Sequence, residues 1–459
     1  MGKSVAFYTL GCKVNHYETQ AMRELFMQAG YEIKDFEDSA DIYVINTCTV
    51  TNIADRKSRQ MLHRAKKRNP DAVVAAVGCY AQGDADQLAL DDAVDLVVGN
   101  DRKGEIVRLV ENEIENRQGA ADEELLDINA VRTYEPLQIS GTADQTRVYI
   151  KIQDGCNQFC SYCRIPYVRG RVRSRSEEDI VQEVQRFAGM GFQEAVLTGI
   201  HISSYGMQTP DAGAAPGQHD YRPDGSRLID LIEAVDRVSG IRRIRLGSLE
   251  PRIITEDFLQ RLSAVKSICP HFHLSLQSGC DSVLRRMNRK YTTALFAEKC
   301  ALIRKYFHAP AITTDVIVGF PGETQEDFEA SRRFIEEMRF YELHVFKYSR
   351  RHGTVADRMP EQITDRVKSE RSEQLISMNR IQSDVFRRQF LEQTDEVLPE
   401  EIITVDGREY LTGFNKEYVK YLIPFTDRSR AQGEIGEIIR VHGNKICKTY
   451  VLADSVNLL

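Results

Sequence analysis

Gln153-Asp154-Gly155-Cys156-Asn157-Gln158-Phe159-Cys160-Ser161-Tyr162-Cys163-Arg164-Ile165-Pro166 sets three thiols four and three residues apart, in a stretch opened by Gly155 and closed at Pro166. Three cysteines in so short a span can converge on one metal centre. An iron–sulfur cubane takes a ligand on each iron, so a set of three leaves one iron open or borrows a ligand from elsewhere; zinc is the competing metal. The same spacing also marks one face of a helix bearing buried cysteines. The flanks favour a loop. Gly155 and Pro166 bracket the run, Asn157, Gln158 and Ser161 are indifferent helix formers, and a basic run follows at Arg164, Arg169, Arg171, Arg173 and Arg175.

Working outward, 459 residues imply two to four domains. Val5 to Leu10 is mostly apolar, but no cleavage-site pattern follows it and no apolar run approaches a membrane-spanning length. The chain reads as cytoplasmic with no membrane partner, a setting in which ten cysteines point to metal or free thiols rather than a disulfide framework. A net charge of −7 gives no global attraction to nucleic acid. Two local clusters do, one at Arg56, Lys57, Arg59, Arg64, Lys66, Lys67 and Arg68, the other at Arg164 to Arg175, although most such runs are solvated helix faces.

Toward the amino terminus, Val5 to Leu10, Ile42 to Ile45 and Val73 to Val77 read as short buried strands alternating with helices, hence a parallel sheet whose binding crevice lies at the carboxyl ends of its strands. Cys12, Cys48 and Cys79 each follow one of these strands. Any one of them alone reads as a small buried residue; three at equivalent positions point to a second metal site.

Toward the carboxyl terminus, an acidic stretch from about Asn116 to Thr146 reads as a linker. Six strand candidates follow: Val148 to Ile152, Ala195 to Thr198, Arg243 to Leu246, His273 to Leu276, Thr313 to Val318 and Leu343 to Tyr348. With helices such as Ser176 to Ala188 and Gln325 to Met338 between them, they form an incomplete parallel barrel with its polar residues of interest at the strand ends. Gly206 to Arg227 reads as a surface insertion, and Cys269, Cys280, Cys300 and Cys447 lack ligand spacing. Gln362 to Leu391 is helical in pattern. Beyond it, Glu401 to Val405, Tyr418 to Ile423, Ile435 to Val441 and Lys448 to Leu452, with breaks at Gly407, Gly433 and Gly443, suggest a small antiparallel barrel. The expected domains are residues 1–115, a linker 116–141, 142–372, a helical connector 373–390, and 391–459.

The Cys-x3-Cys-x2-Cys run, with Tyr162 before its last cysteine, resembles the signature loop of radical S-adenosylmethionine (SAM) enzymes. A three-cysteine amino-terminal domain ahead of that loop resembles the methylthiotransferases. Within them, Gly11-Cys12-Lys13-Val14-Asn15 with Tyr17-Glu18-Thr19, and Asn46-Thr47-Cys48-Thr49-Val50-Thr51, resemble the branch acting on N6-threonylcarbamoyladenosine (t6A) in tRNA. The C-terminal barrel resembles the TRAM domain, an RNA-binding module, although acidic residues outnumber basic ones from Leu391 onward.

The resemblance implies an α/β fold comprising an N-terminal parallel-sheet domain, a partial (β/α)6 radical SAM barrel and a TRAM-like β-barrel. It implies two [4Fe-4S] clusters, one on Cys12, Cys48 and Cys79 and one on the catalytic Cys156, Cys160 and Cys163, together with S-adenosyl-L-methionine. Thr198 and Gly199 would meet the methionine part of SAM, Ser248, Ser275 and Gln277 its polar groups, Arg289 its carboxylate, and Val318 and Gly319 its adenine. The implied reaction is methylthiolation of C2 of t6A at position 37, giving ms2t6A, with tRNA carrying t6A37, an electron donor and a sulfur source as partners. The alternatives are a methylthiotransferase acting on a ribosomal-protein side chain and a non-catalytic zinc-stabilised RNA-binding protein.

Overall fold

The computed structural model describes residues 3–116, 126–141, 146–207 and 224–456. Five parallel strands, β1 (Ser4–Thr9), β2 (Glu32–Lys34), β3 (Ile42–Thr47), β4 (Val73–Gly78) and β5 (Leu96–Val98), form the first sheet in the order β2-β1-β3-β4-β5. The three long strands are those expected. The edge strands β2 and β5 are three residues each and only partly buried, too short to leave a pattern in the sequence. Alternate residues of the central strands face opposite layers, as the two-residue period demands. Tyr43, Ile45, Val74 and Ala76 pack on helix α2 (Asn52–Arg68), while Val44, Ala75 and Val77 pack with Met22 and Phe26 of helix α1 (Lys13–Gln28). The strand order reverses between β1 and β3, the topological switch point at which open α/β sheets place ligands.

The second unit contains β6 (Val148–Asp154), β7 (Arg173–Ser174), β8 (Glu194–Gly199), β9 (Arg243–Leu246), β10 (His271–Gln277), β11 (Ala311–Val318) and β12 (Glu342–Lys347). Six are parallel and follow chain order; β7 adds a short antiparallel edge at the upper end of β6. Between β9 and β10 the ladder thins to two bridges, Ile244 with Ile268 and Leu249 with Leu274. β6 and β12 do not pair, so the barrel is open. Several of its helices start on side-chain caps: Ser176 accepts from the Asp179 N–H before Glu177–Gly189, and Thr324 with Asp327 forms a reciprocal capping box before Gln325–Met338. Most of the stretch expected to form a surface insertion, Gly206 to Arg227, lies outside the described residues.

The amino-terminal sheet and the barrel are not loosely tethered. Tyr17 and Ala21 of α1 belong to the barrel's own apolar core, with Val148, Ile150, Ile180 and Val184. Residues 126–141, within the stretch read as a linker, run as a packed strap in which Ile128, Leu137 and Ile139 are buried. The Ser140 N–H donates to Glu24, and the Tyr17 hydroxyl meets both the Leu137 carbonyl and Glu183.

After helix Asp365–Arg387, β13 (Thr394–Val405), β14 (Arg408–Phe414), β15 (Lys420–Ile423), β16 (Ile439–Cys447) and β17 (Tyr450–Ser455) close a small barrel in the order β13-β14-β15-β17-β16. Two expectations change. The β15–β17 pair is parallel, and Gly443 is not a break but lies inside β16 at a register shift, where a Cβ would lie 2.3 Å from the Phe390 carbonyl oxygen.

This small barrel closes the amino-terminal floor of the larger one. Arg243 donates to the Glu396 and Phe414 carbonyls, and Arg245 to those of Asn415 and Lys416. Beneath them Glu194 is fully buried, 2.8 Å from Arg245 and 3.3 Å from Arg147, which also reaches Glu400. Tyr418 fills the opening, stacked on Phe414 at 4.3 Å and on His271 at 5.0 Å. Burial alone would raise the Glu194 carboxyl, but Arg245 and then Arg147 outweigh it and hold the group down at about 2. Relative to its ordinary value of 4.5, that depression contributes stability which is fully present above pH 4.5 and drains away as the pH falls toward 2. Glu194→Gln should therefore cost about 3–5 kcal/mol at neutral pH by leaving buried guanidinium groups uncompensated. The difference from the parent protein, measured by urea unfolding, should shrink as the pH is lowered below 4.5.

Candidate active site

The loop that follows β6 is built for a sharp change of direction. Gly155 has φ of +72°, and a Cβ there would stand 1.9 Å from the Arg171 carbonyl oxygen, so only glycine fits. The loop is then pinned from several sides. The Cys156 N–H donates to the Gly170 carbonyl, the Ser161 N–H to Met287, the Asn288 amide to the Phe159 carbonyl, and the Ala356 N–H to the Ser161 carbonyl. Cys156, Cys160 and Cys163 lie on irregular backbone, half-buried, and the next helix begins only at Ile165. The helical-face reading of their spacing is thereby excluded.

Cys12, Cys48 and Cys79 follow β1, β3 and β4 on the carboxyl side of the amino-terminal sheet. Gly11, at φ of +101°, lets the first two loops meet: a Cβ would lie 2.9 Å from Cys48 Cβ. Asn15 braces them by donating to the Leu10 and Thr47 carbonyls, and Asn46 in turn donates to the Asn15 carbonyl and to Thr19. The motif residues around these cysteines are thus the scaffold that gathers them.

The two loops are joined by charge. Arg169 is fully buried; its Nε donates to Cys79 Sγ at 3.1 Å, its Nη1 to Glu18 and Asp154, and its Nη2 to Asn15. Glu18 comes from α1 and also meets Lys103 at 2.9 Å and Lys151 at 2.7 Å. Burial would raise the Glu18 carboxyl, but Arg169, Lys103 and Lys151 outweigh it and hold it ionised. Across the site, Arg289 Nη1 donates to Cys160 Sγ at 3.1 Å, and its other nitrogens donate to the Tyr291 hydroxyl and the Ser275 carbonyl. Each triad therefore carries one guanidinium directed at a sulfur. All ten cysteines are free. Burial and then Cys160 push the Cys163 thiol up to about 12, with Cys79 near enough to add to the shift, while burial lifts Cys48 to about 11. Thiols so placed are inert as free nucleophiles but suit coordination, because a bound cation supplies the charge that favours thiolate.

The other residues expected at the site lie on the same rim. Thr198 and Gly199 end β8, with the Gly199 Cα against Gln153, whose side chain accepts the His201 N–H. Ser248 is exposed after β9. Ser275 and Gln277 lie near the end of β10, Gln277 in a left-handed conformation at φ of +68°. Val318 is buried, its carbonyl accepting the Tyr348 N–H, and the Gly319 amide is spent on Glu323. Arg289 is already engaged by Cys160 and Ser275.

Sequence reasoning assigned no ligand to a second group beside the loop. Arg252 links Glu250 (2.5 Å) to Gln158 (3.3 Å), and the buried Glu250 Oε2 and Gln158 Nε2 have no partner among the described residues. An unsatisfied carboxylate oxygen and amide donor next to three half-buried thiols fit a ligand that offers an ammonium and an acceptor. Nearby, burial and then Arg289 and Arg252 push the His201 imidazole down to about 3, leaving it neutral.

The basic run read as an RNA contact is mostly turned inward. Arg164 pairs with Asp84, Arg169 is buried, Arg173 is buried, and Arg175 pairs with Glu183. In the α2 cluster, Arg64 and Arg68 pair with Glu37 and Lys66 with Asp95, while Arg56, Lys57 and Lys67 are exposed.

Residues 4–99 match an uncharacterised protein family, UPF0004, and residues 150–335 match the radical SAM superfamily. The chain is 41% identical over 439 residues to threonylcarbamoyladenosine tRNA methylthiotransferase MtaB of Bacillus subtilis, covering 95% of this chain and 93% of that protein. It is 33% identical over 409 residues to tRNA-2-methylthio-N(6)-dimethylallyladenosine synthase of Pelotomaculum thermopropionicum, covering 87% of each. Among solved structures, the radical SAM methyltransferase TsrM of Kitasatospora setae, with cobalamin and a [4Fe-4S] cluster bound, matches with a TM-score of 0.55 at 15% identity over 78% of this chain and 77% of that one, a likeness of fold.

Gly155→Ala should abolish the loop geometry without touching a thiol. The left-handed backbone and the carbonyl clash together cost about 3 kcal/mol or more. Metal titration of the purified variant should show loss of binding at Cys156, Cys160 and Cys163 with binding at the other triad retained.

Proposed function

The chain belongs to the radical SAM methylthiotransferases, and from that premise we propose that it is a tRNA-modifying enzyme that converts t6A at position 37 to ms2t6A by methylthiolation of C2. The observation that carries this reading is the pairing of two cysteine triads through one buried charge network, in a chain whose 41% identical relative bears the threonylcarbamoyladenosine name.

We assign Cys156, Cys160 and Cys163 to three irons of one [4Fe-4S] cluster, and Cys12, Cys48 and Cys79 to a second. With SAM and an external electron, the first cluster would supply the power to take hydrogen from an unactivated carbon, and the second would supply a place to hold sulfur. The chain's own residues do the rest. Arg289 and Arg169 hydrogen-bond one sulfur in each triad and would offset the negative charge of a cluster held there. Glu250 offers its free oxygen to the SAM ammonium, and Gln158 its free amide to an acceptor on the same ligand. Thr198, Gly199, Ser248, Ser275 and Gln277 line the methionine side, with Val318 and Gly319 beside the adenine. Arg289 is taken by Cys160, so a role for it at the SAM carboxylate requires release of that bond. Tyr418, stacked on His271, covers part of the far end of the barrel beside Glu194 and narrows the access of water there. The electron and the sulfur come from partners. No helix among the described residues is long and apolar enough to cross a membrane.

Anaerobically reconstituted protein given reductant, SAM and tRNA carrying t6A should yield 5′-deoxyadenosine and ms2t6A. tRNA lacking the threonylcarbamoyl group, tRNA carrying dimethylallyladenosine and ribosomal protein should give no methylthio product. Cys156→Ala, Cys160→Ala or Cys163→Ala should abolish 5′-deoxyadenosine. Cys12→Ala, Cys48→Ala or Cys79→Ala should retain it and lose sulfur insertion, each class keeping about four of eight irons. Cluster-loaded protein that releases neither product, or zinc in place of iron, contradicts the reading.

A further inference from the structure

The lumen of the open barrel is lined by charge, and nearly all of it is paired. Arg147 and Arg245 meet Glu194, and His273 and His344 both meet Asp315, at 3.3 and 3.2 Å. Lys13, the first residue of α1, enters this space from the amino-terminal domain. Its ammonium lies 5.3 Å from the centre of the Tyr149 ring, on β6, and makes no salt bridge among the described residues. The residue is exposed to solvent, and the like charges that act on it, Arg147 and Arg245, are both held by Glu194. A cation held over an aromatic ring in a partly enclosed space, with every neighbouring carboxylate engaged elsewhere, is set to receive an anion from outside the chain.

The substrate reading supplies one. In adenine, C2 and C6 flank N1 on a single edge, so a base that presents C2 to the Cys12 loop turns its N6 substituent toward the same side of the site. Cys12 and Lys13 are consecutive, with Cα atoms about 3.8 Å apart. The threonylcarbamoyl group ends in a carboxylate, whereas a dimethylallyl group is apolar. We propose that Lys13 is the specificity-determining residue of the substrate site, its ammonium receiving the threonyl carboxylate and thereby selecting an acidic N6 substituent. The inference rests on the t6A reading above.

The test crosses protein with substrate. Parent protein, Lys13→Gln and Lys13→Arg, each with iron content and cluster spectra measured, are given tRNA carrying t6A and the same tRNA with the threonyl carboxylate converted to its amide. Lys13→Gln should lower kcat/KM on t6A about ten- to hundredfold, chiefly through KM, and Lys13→Arg should restore most of it. Amidation should cost the parent protein a similar factor, and on the amide the parent and Lys13→Gln should agree within about twofold. Equal losses on both tRNAs would mean that Lys13 meets a phosphate or braces the Cys12 loop, and would overturn the inference, as would no loss on either. A parent protein inactive on both tRNAs overturns the t6A reading and this inference with it; a parent active on t6A with an indifferent Lys13→Gln overturns the inference alone.

Discussion

The structure depends on one buried guanidinium. Arg169 touches Cys79 of the amino-terminal sheet, Glu18 of α1 and Asp154 at the end of the first barrel strand, so two units that fold around separate sheets share one ionic centre. Burying these charges is costly, and the arrangement is tolerable only because Lys103 and Lys151 complete the set and nearly every donor finds an acceptor. Such a centre adds little net stability over apolar packing. What it fixes is position: the loop carrying Cys79 cannot shift against the loop carrying Cys156, Cys160 and Cys163 without stranding a charge in the interior.

The rest of the chain reinforces that registration. α1 contributes Tyr17 and Ala21 to the barrel core, and the strap at residues 126–141 ties Glu24 and Glu183 to the same seam. At the opposite end, Glu194 and three arginines bond the C-terminal barrel to the floor, and Tyr418 stacks on His271 there. The result is a barrel open toward the two cysteine loops and covered behind them by the C-terminal barrel, a geometry that restricts the access of water.

What the sequence reveals follows from the range of each interaction. The six candidate ligands were legible because cysteines in a short loop, or at the ends of parallel strands, are brought together by local spacing and by sheet topology alone. The long strands, the capped helices and the incomplete barrel were legible for the same reason. Arg169 was not, since its bond to Glu18 spans 151 residues and the arginine sat in a run that reads equally as a surface patch. The Gln158–Arg252–Glu250 chain was hidden similarly, across 94 residues at its longer link. The strands β2 and β5 are too short to show a period. At Gly443 the glycine signals a close backbone approach inside a strand, which in sequence looks the same as a turn.

The central claim is that the two cysteine triads form one site rather than two independent metal centres. Electron paramagnetic resonance of the fully loaded, doubly reduced protein tests it most directly. Adjacent clusters should give a broadened spectrum with spin–spin splitting that collapses to a simple signal when Cys12, Cys48 and Cys79 are replaced. A spectrum equal to the sum of two isolated clusters, unchanged in either component by loss of the other, would contradict it.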